Sequence, residues 1–407
     1  MNTAMGWVKN HLMEIQEMGD WPGGLSDKMV CNHHFHDHYL NDIILEKSEG
    51  NGKCSYCGRH TKVCSLQKLM EDVTWKIHLY YTRPENASLY LAHSFYDDDE
   101  EEIKGFRRFG EFIVPNEAEC YDSTELLLEA LDAIPDNQEL YNDVLSVFET
   151  ESWISVDLLR EDYKSERLLD QWKKFCMIVT SQKRYTFLAN PDFLPVLTNK
   201  GEKRDILTGL SSIITEQKIC RILPTGTKVY RARRVRQDEL DKGIDFNNIT
   251  SPPGEKATPN RMSPAGISMF YASYLKKTAE MECVGDKSLT MIVGAFKTIK
   301  PLMVLDLTRI PENSFWMTGW QENMFLHQFN KEITKPVSED DDNLLQYIPT
   351  QVLTEYLRYM YAINGQHLDG IVYGSSKDRN KNLVLFYNQE RSSDVLALDG
   401  KIEIKKA

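Results

Sequence analysis

The sequence predicts an α+β fold: a mixed domain of strands and helices preceded by a small zinc-binding and mainly helical N-terminal region. Three observations carry that reading. Short runs rich in Val, Ile, Tyr and Phe recur beyond residue 228, several with no helix between them, which argues against a doubly wound parallel sheet. Apolar residues at helical spacing dominate much of the chain before about residue 204. Cysteine and histidine pairs near the start stand at metal-ligand spacing.

The 407 residues suffice for two or three domains and a sizeable core. Hydrophobic residues at 41% and charged residues at 27% are ordinary for a globular protein. The net charge of -13 argues against nucleic acid as a partner and leaves room only for a local basic pocket. No apolar run is long enough to cross a bilayer, so no membrane partner is expected. The opening MNTAMGWVKNHLMEIQEMGDW lacks the uninterrupted apolar core of a signal peptide, which points to a cytoplasmic protein. In that reducing compartment the eight cysteines should stay unpaired.

Three regions follow in order. Residues 1–110 hold the Cys/His cluster, the helix candidate SLQKLMEDVTWKIHLYY and an acidic run, Asp97 to Glu102, that reads as a solvated segment. Residues 111–204 read as helical. Asp122 and Ser123 offer an N-cap before TELLLEALDAI, and ELYNDVLSVFE follows. The helix candidate SERLLDQWKKFCMIVTSQ sets Leu168, Trp172 and Phe175 on one face, a core stripe rather than a ligand site. Residues 205–407 form the third region. Its strand candidates are KVYRARRV, SMFYAS, LTMIVGAFK, LMVLDL, DGIVYG and NLVLFYN, and its helix candidates TAEMEC and PTQVLTEYLRYMYAI. Between them runs a long loop, Asp238 to Pro264, rich in Pro, Gly and Asn; loops of that length tend to be functional or mobile.

Cys31 and His34 form a C-x2-H pair, and Cys54 and Cys57 a C-x2-C pair. Two-residue spacing lets both members of a pair reach one ion, and soft thiolates with one imidazole suit tetrahedral zinc. Four protein ligands leave no open position, so the site should be structural. His34 is preferred to His33 on spacing. His33, His36, His38, His60 and Cys64 read as surface residues.

Four further pieces stand in order: VYRARR at Val229 to Arg234, NRMSPAGISMFYASYLKKTAEMEC at Asn260 to Cys283, YIPTQVLTEYLR at Tyr347 to Arg358, and DGIVYGSS with NLVLF at Asp369 to Phe386. Together they resemble the RES domain family over roughly residues 205–400. The N-terminal part is similar to the HEPN/RES N-terminal domain, whose usual pattern has two C-x2-C pairs; His34 stands here where the second cysteine would. No R-x4-6-H motif of the HEPN ribonucleases is present, so no ribonuclease activity is carried over.

The RES resemblance implies an ADP-ribosyltransferase-like fold and a toxin-type enzyme that takes NAD as substrate and cleaves its nicotinamide–ribose bond. It implies Glu282, Arg231 and Ser375 as catalytic residues, with Arg261, Tyr230 and Tyr271 on the dinucleotide. The chemistry agrees: bond cleavage builds an oxocarbenium-like ribose that a carboxylate stabilises, and arginine forks suit a pyrophosphate. Glu280 would face another side of the helix than Glu282. Ser375 is read as a hydrogen-bonding group, not a nucleophile, with Ser376 the register alternative. Arg233 and Arg234 read as surface charges on an edge strand.

The leading expectation is an NAD glycohydrolase that depletes cellular NAD, as a toxin or anti-phage effector. An antitoxin, another regulatory protein, homo-oligomerisation or the N-terminal half would restrain it. The alternatives are an ADP-ribosyltransferase acting on a protein or small acceptor, and an inert zinc-containing adaptor.

Overall fold

The computed structural model describes residues 24–84, 106–109, 112–115, 118–148, 152–155, 164–186, 196–197, 203–283, 286, 288–334 and 344–405. The opening segment and the acidic run Asp97 to Glu102 lie outside them. Helices and sheets mix throughout, as an α+β fold requires. The chain divides into two compact units: Met1–Tyr163 with Asn313–Trp320, and Lys164–Glu312 with Gln321–Ala407. Among the described residues, no helix is long and apolar enough to cross a membrane.

In the first unit, β1 (Met29–Cys31), β2 (Gly50–Lys53) and β3 (His60–Ser65) form an antiparallel sheet in the order β1-β3-β2. Four helices follow: α1 (His38–Glu46), α2 (Leu66–Tyr80), α3 (Thr124–Ala130) and α4 (Gln138–Leu145). Each begins at a polar cap. Asp37, Ser65, Ser123 and Asn137 accept hydrogen bonds from first-turn N–H groups that have no helical partner. Leu69, Met70, Val73 and Ile77 of α2 pack with Trp153 and Trp316 in the core. Trp316 comes from the returning segment 313–320, and its indole N–H donates to the Leu131 carbonyl at 2.7 Å. Cys64, expected at the surface, is fully buried. It sits opposite Val30 and faces this core, and burial pushes its thiol up to about 11. His33, His36, His38 and His60 are exposed.

The second unit is built on a nine-stranded sheet. Its strands are β4 (Cys220–Leu223), β5 (Lys228–Val235), β6 (Phe270–Ser273), β7 (Thr290–Thr298), β8 (Leu302–Asp306), β9 (Gly370–Gly374), β10 (Lys381–Leu385), β11 (Leu396–Leu398) and β12 (Glu403–Lys405). The order is β4-β8-β9-β10-β6-β5-β7-β11, with β12 also on β7. Only β8 and β9 run parallel, and the chain between them supplies the crossover that a parallel pair needs.

Four longer helices belong to this unit or enter it: α5 (Lys164–Ser181), α6 (Ile206–Glu216), α8 (Trp320–Thr334) and α9 (Ile348–Tyr359). The short helix α7 (Lys276–Glu282) follows β6. Alternate strand residues enter two different cores. Leu305, Ile371 and Val384 join Leu168, Trp172 and Phe175 of α5. Val304, Val372 and Leu383 join Val229, Phe270 and Phe296. Burial on both faces explains why the central strands read as continuous apolar runs in the sequence. The loop from Asp238 to Pro264 is not structureless; it carries helical turns at Gln237–Asp241, Phe246–Ile249 and Gly254–Lys256.

One feature of this sheet positions everything below. β5 pairs with β7 along its whole length, from Lys228↔Lys297 to Val235↔Thr290. It meets β6 at a single register pair, Tyr230↔Ser273. Beyond that pair the two strands part, β6 staying with β10 and β5 with β7.

Gly370 marks the tightest point of the central sheet. A Cβ there would lie 2.2 Å from the backbone oxygen of Val384, which cannot yield without breaking the ladder. Gly370→Ala should therefore lower stability by at least about 2 kcal/mol, as forced overpacking does. Chemical denaturation of the purified variant checks this, and an unchanged midpoint would refute it.

Candidate functional site

Where β5 and β6 part lies a cavity of about 480 Å³. Residues of β5, β6, α7 and β10 line it, together with the segment 247–263. The sheet register sets one row of its wall. Tyr230, Ser273, Asn382 and Tyr373 are direct cross-strand neighbours on β5, β6, β10 and β9, and all four line the cavity. Paired residues on adjacent strands share a face, so the row is a consequence of pairing, not of loop placement.

Glu282 is the last residue of α7 and lines the same cavity. Ser375 Oγ donates to its Oε1 at 2.6 Å, and Asn382 Nδ2 donates to the same oxygen at 2.7 Å. No hydrogen bond from the described residues reaches Oε2. Helix α7 is tied a second time to the turn after β9: Thr278 Oγ1 donates to Asp378 Oδ2 at 2.7 Å, and Asn380 braces the same carboxylate. Glu280, two residues before Glu282, pairs instead with Lys405 at 2.6 Å and does not line the cavity. Ser375 is buried and Ser376 is exposed. The sequence reading turned the Ser375 hydroxyl toward a ligand; in the structure it is spent on Glu282, because the turn after β9 closes over the end of α7.

Three arginines of β5 line the cavity, and each uses Nη1 to satisfy a backbone carbonyl. Arg231 donates to Tyr271 O at 2.7 Å, Arg233 to Asn248 O at 2.7 Å, and Arg234 to Leu289 O at 2.8 Å. Arg231 thus caps a carbonyl of β6 that strand pairing leaves open. Its Nε is buried without a partner among the described residues, and burial, with Arg233 beside it, lowers its pKa to about 10. It therefore remains charged at neutral pH. Arg233 also pairs with Glu239 at 2.7 Å. Arg233 and Arg234 are thus not surface charges on an edge strand: one edge of β5 is paired with β7, and the other faces the cleft rather than open solvent.

Tyr230 and Tyr271 both line the cavity. Burial pushes Tyr271 up to about 12, and its hydroxyl lies 3.0 Å from Ser263 Oγ. Burial likewise raises Tyr373 and Cys283, with Arg234 and Arg231 working against the shift at Cys283. Arg261 is not among the lining residues. Its guanidinium lies 5.7 Å from the Tyr347 ring, burial lowers its pKa, and it acts electrostatically on Tyr373 and Glu282. Asn382, Ser273 and Tyr373 were missed by sequence reasoning. The available signal was a polar residue opening the apolar run NLVLF, which becomes informative only once the register is known.

In the first unit, ligand atoms of Cys31, His34, Cys54 and Cys57 lie within 4.8 Å of one another and could hold a metal ion. Cys31 closes β1, His34 follows in the next turn, and Cys54 and Cys57 occupy the turn between β2 and β3. Gly58 at φ +70° lets that turn close, with its N–H donating to Cys54 O. His34 Nε2 lies 3.3 Å from Cys54 Sγ, and Nδ1 lies 2.7 Å from Asp136 Oδ1. Burial opposes ionisation of Cys54, but the N–H groups of Cys57 and Tyr56 and the His34 ring outweigh it and hold the thiol low, at about 6. Asp136, which fixes the imidazole, sits far along the chain and carried no sequence signal.

The family model for the RES domain matches residues 228–402, from the first residue of β5 to just before β12. The model for HEPN/RES N-terminal domain 1 matches residues 47–193, which include Cys54 and Cys57 and begin after Cys31 and His34. No curated protein matches the chain. The cleft between β5 and β6, with its arginines and Glu282, thus falls inside the matched region: residues 228–402 are a RES domain, preceded at residues 47–193 by a HEPN/RES N-terminal domain.

Proposed function

We propose that the cavity binds NAD and that the protein is an NAD glycohydrolase of the toxin type. The carrying observation is a carboxylate, Glu282, fixed through one oxygen at the wall of a cavity that three arginines also line. Each guanidinium is anchored through Nη1, Arg233 also through its pair with Glu239, and the three place planar, charged donor forks at the cavity wall where a pyrophosphate would lie. Tyr230 and Tyr271 offer aromatic faces for a base or ribose. The glycosidic bond breaks with its electron pair going to the nicotinamide nitrogen, and positive charge builds on the ribose. Glu282 stabilises that charge and orients water, whose oxygen bonds to the ribose carbon while a proton is released. The products are nicotinamide and ADP-ribose. Such an activity depletes cellular NAD, and restraint falls to an antitoxin, to self-association or to the N-terminal half.

The N-terminal cluster fits zinc: three thiols and one imidazole converge, and a carboxylate holds the second ring nitrogen of the histidine. We assign it a structural zinc, with Cys31, His34, Cys54 and Cys57 as ligands. When bound, the ion contributes folding free energy to the first unit and takes no part in cleavage.

Purified protein incubated with NAD should release nicotinamide and free ADP-ribose on chromatography; ADP-ribosylated protein instead would move the assignment to transfer. Glu282→Gln should cut turnover on the order of 100-fold or more while keeping the fold and NAD affinity, because the amide retains shape and loses charge. Near-normal turnover in that variant would remove Glu282 from the reaction. Arg231→Lys should weaken NAD binding by about tenfold in titration calorimetry, since lysine keeps the charge but loses the fork. Elemental analysis should find one zinc per chain, and Asp136→Asn should lower zinc affinity by about 10- to 100-fold. Metal-free protein with an intact first unit would defeat the zinc reading.

A further inference from the structure

We propose that Asn382, its amide fixed by Ser273, is the positioning residue that holds the Glu282 carboxylate in its working orientation; this rests on the NAD-cleaving reading of the cavity. Ser273 Oγ donates to Asn382 Oδ1 at 2.6 Å, and Asn382 Nδ2 donates to Glu282 Oε1 at 2.7 Å. Ser273 and Asn382 are 2% and 3% exposed, so water does not compete for the bond between them. An ionised carboxylate only accepts, so the amide must turn its NH₂ group toward Glu282. That leaves the amide oxygen facing Ser273, whose hydroxyl donates to it. The orientation is therefore specified from both ends.

The two residues hold their places for a reason independent of the site. They are direct register partners on β6 and β10, and Asn382 pairs on its other side with Tyr373 of β9. The donor to Glu282 is thus fixed by the ladder of the central sheet, whereas Ser375 approaches from a turn. Both donors converge on Oε1. The carboxylate cannot rotate without breaking both bonds, and Oε2 is kept for the ribose cation or the attacking water. A donor placed before the reaction begins requires no reorganisation during it. The titratable groups around this amide are Glu282 itself, Arg261 acting on Glu282 at longer range, and the neighbouring Tyr373.

Asn382→Asp is the informative variant. It preserves size and an acceptor for Ser273, and it replaces the donor to Glu282 by a carboxylate oxygen. For wild type, Asn382→Asp, Asn382→Ala and Ser273→Ala, the measurements are kcat and KM for NAD across pH, NAD affinity by calorimetry, thermal unfolding, and the crystal structures of wild type and Asn382→Ala. Both Asn382 variants should lose kcat on the order of 100-fold with KM and affinity little changed. Ser273→Ala should lose less, about tenfold, because the amide remains but is no longer fixed. The rate of Asn382→Asp relative to wild type should rise as pH falls, when the introduced carboxyl regains a proton to donate. A purely structural role would leave the two pH profiles parallel. In Asn382→Ala crystals Glu282 should leave its single conformation. Wild-type kcat in folded Asn382→Asp, or an unmoved Glu282 in Asn382→Ala, would overturn the proposal. If wild type does not cleave NAD, the functional reading falls, and the position of Glu282 in the Asn382→Ala crystal still decides whether Asn382 holds it.

Discussion

The second unit depends on one rung of its sheet. Tyr230 and Ser273 are the only register pair between β5 and β6 among the described residues. A sheet that pairs fully at this seam would have no cleft, and one without the rung would lack the row of side chains that crosses four strands. The parting also leaves backbone groups to be satisfied, and an unpaired buried carbonyl is costly. Arginine solves both problems. Arg231 caps Tyr271 O and remains charged, so the group that closes the seam also makes the cleft electropositive.

The seam explains how a protein with net charge -13 can suit an anionic ligand. Arg231, Arg233 and Arg234 stand together on one strand whose free edge faces a cavity, not bulk water. Charges in such a site are less screened than at an open surface. Glu239 neutralises one fork, and among the described lining residues Glu282 supplies the one carboxylate with an oxygen left unbonded. Overall charge described the surface of the molecule and not this cleft.

Much of the architecture was legible because it rests on local chemistry. KVYRARRV coincides with β5, Ser123 caps α3, and Leu168, Trp172 and Phe175 are buried on one face of α5. Cys31, His34, Cys54 and Cys57 do converge, since two-residue spacing constrains them strongly. What escaped reading depends on partners distant in sequence. Asn382 becomes meaningful only opposite Ser273, and Asp136 only beside His34. Arg233 and Arg234 were misread because an edge facing a cleft and an edge facing solvent give the same pattern of side chains. Cys64 was misread because a spare cysteine near a metal cluster resembles any small strand residue; its burial is decided by the helices that cover β3.

The segment Asn313–Trp320 carries a consequence for the protein's modularity. The chain leaves the first unit at Tyr163, returns with Phe315 and Trp316 in that unit's core, and departs again at Gln321. Sequence order suggests two beads on a string, separable by one scission. Connectivity makes them interleaved instead. Cutting the backbone once near residue 163 would leave the first unit without residues 313–320, which would stay on the fragment that carries the second. Neither half can have been acquired, lost or exchanged in evolution as a single contiguous cassette without also remaking residues 313–320.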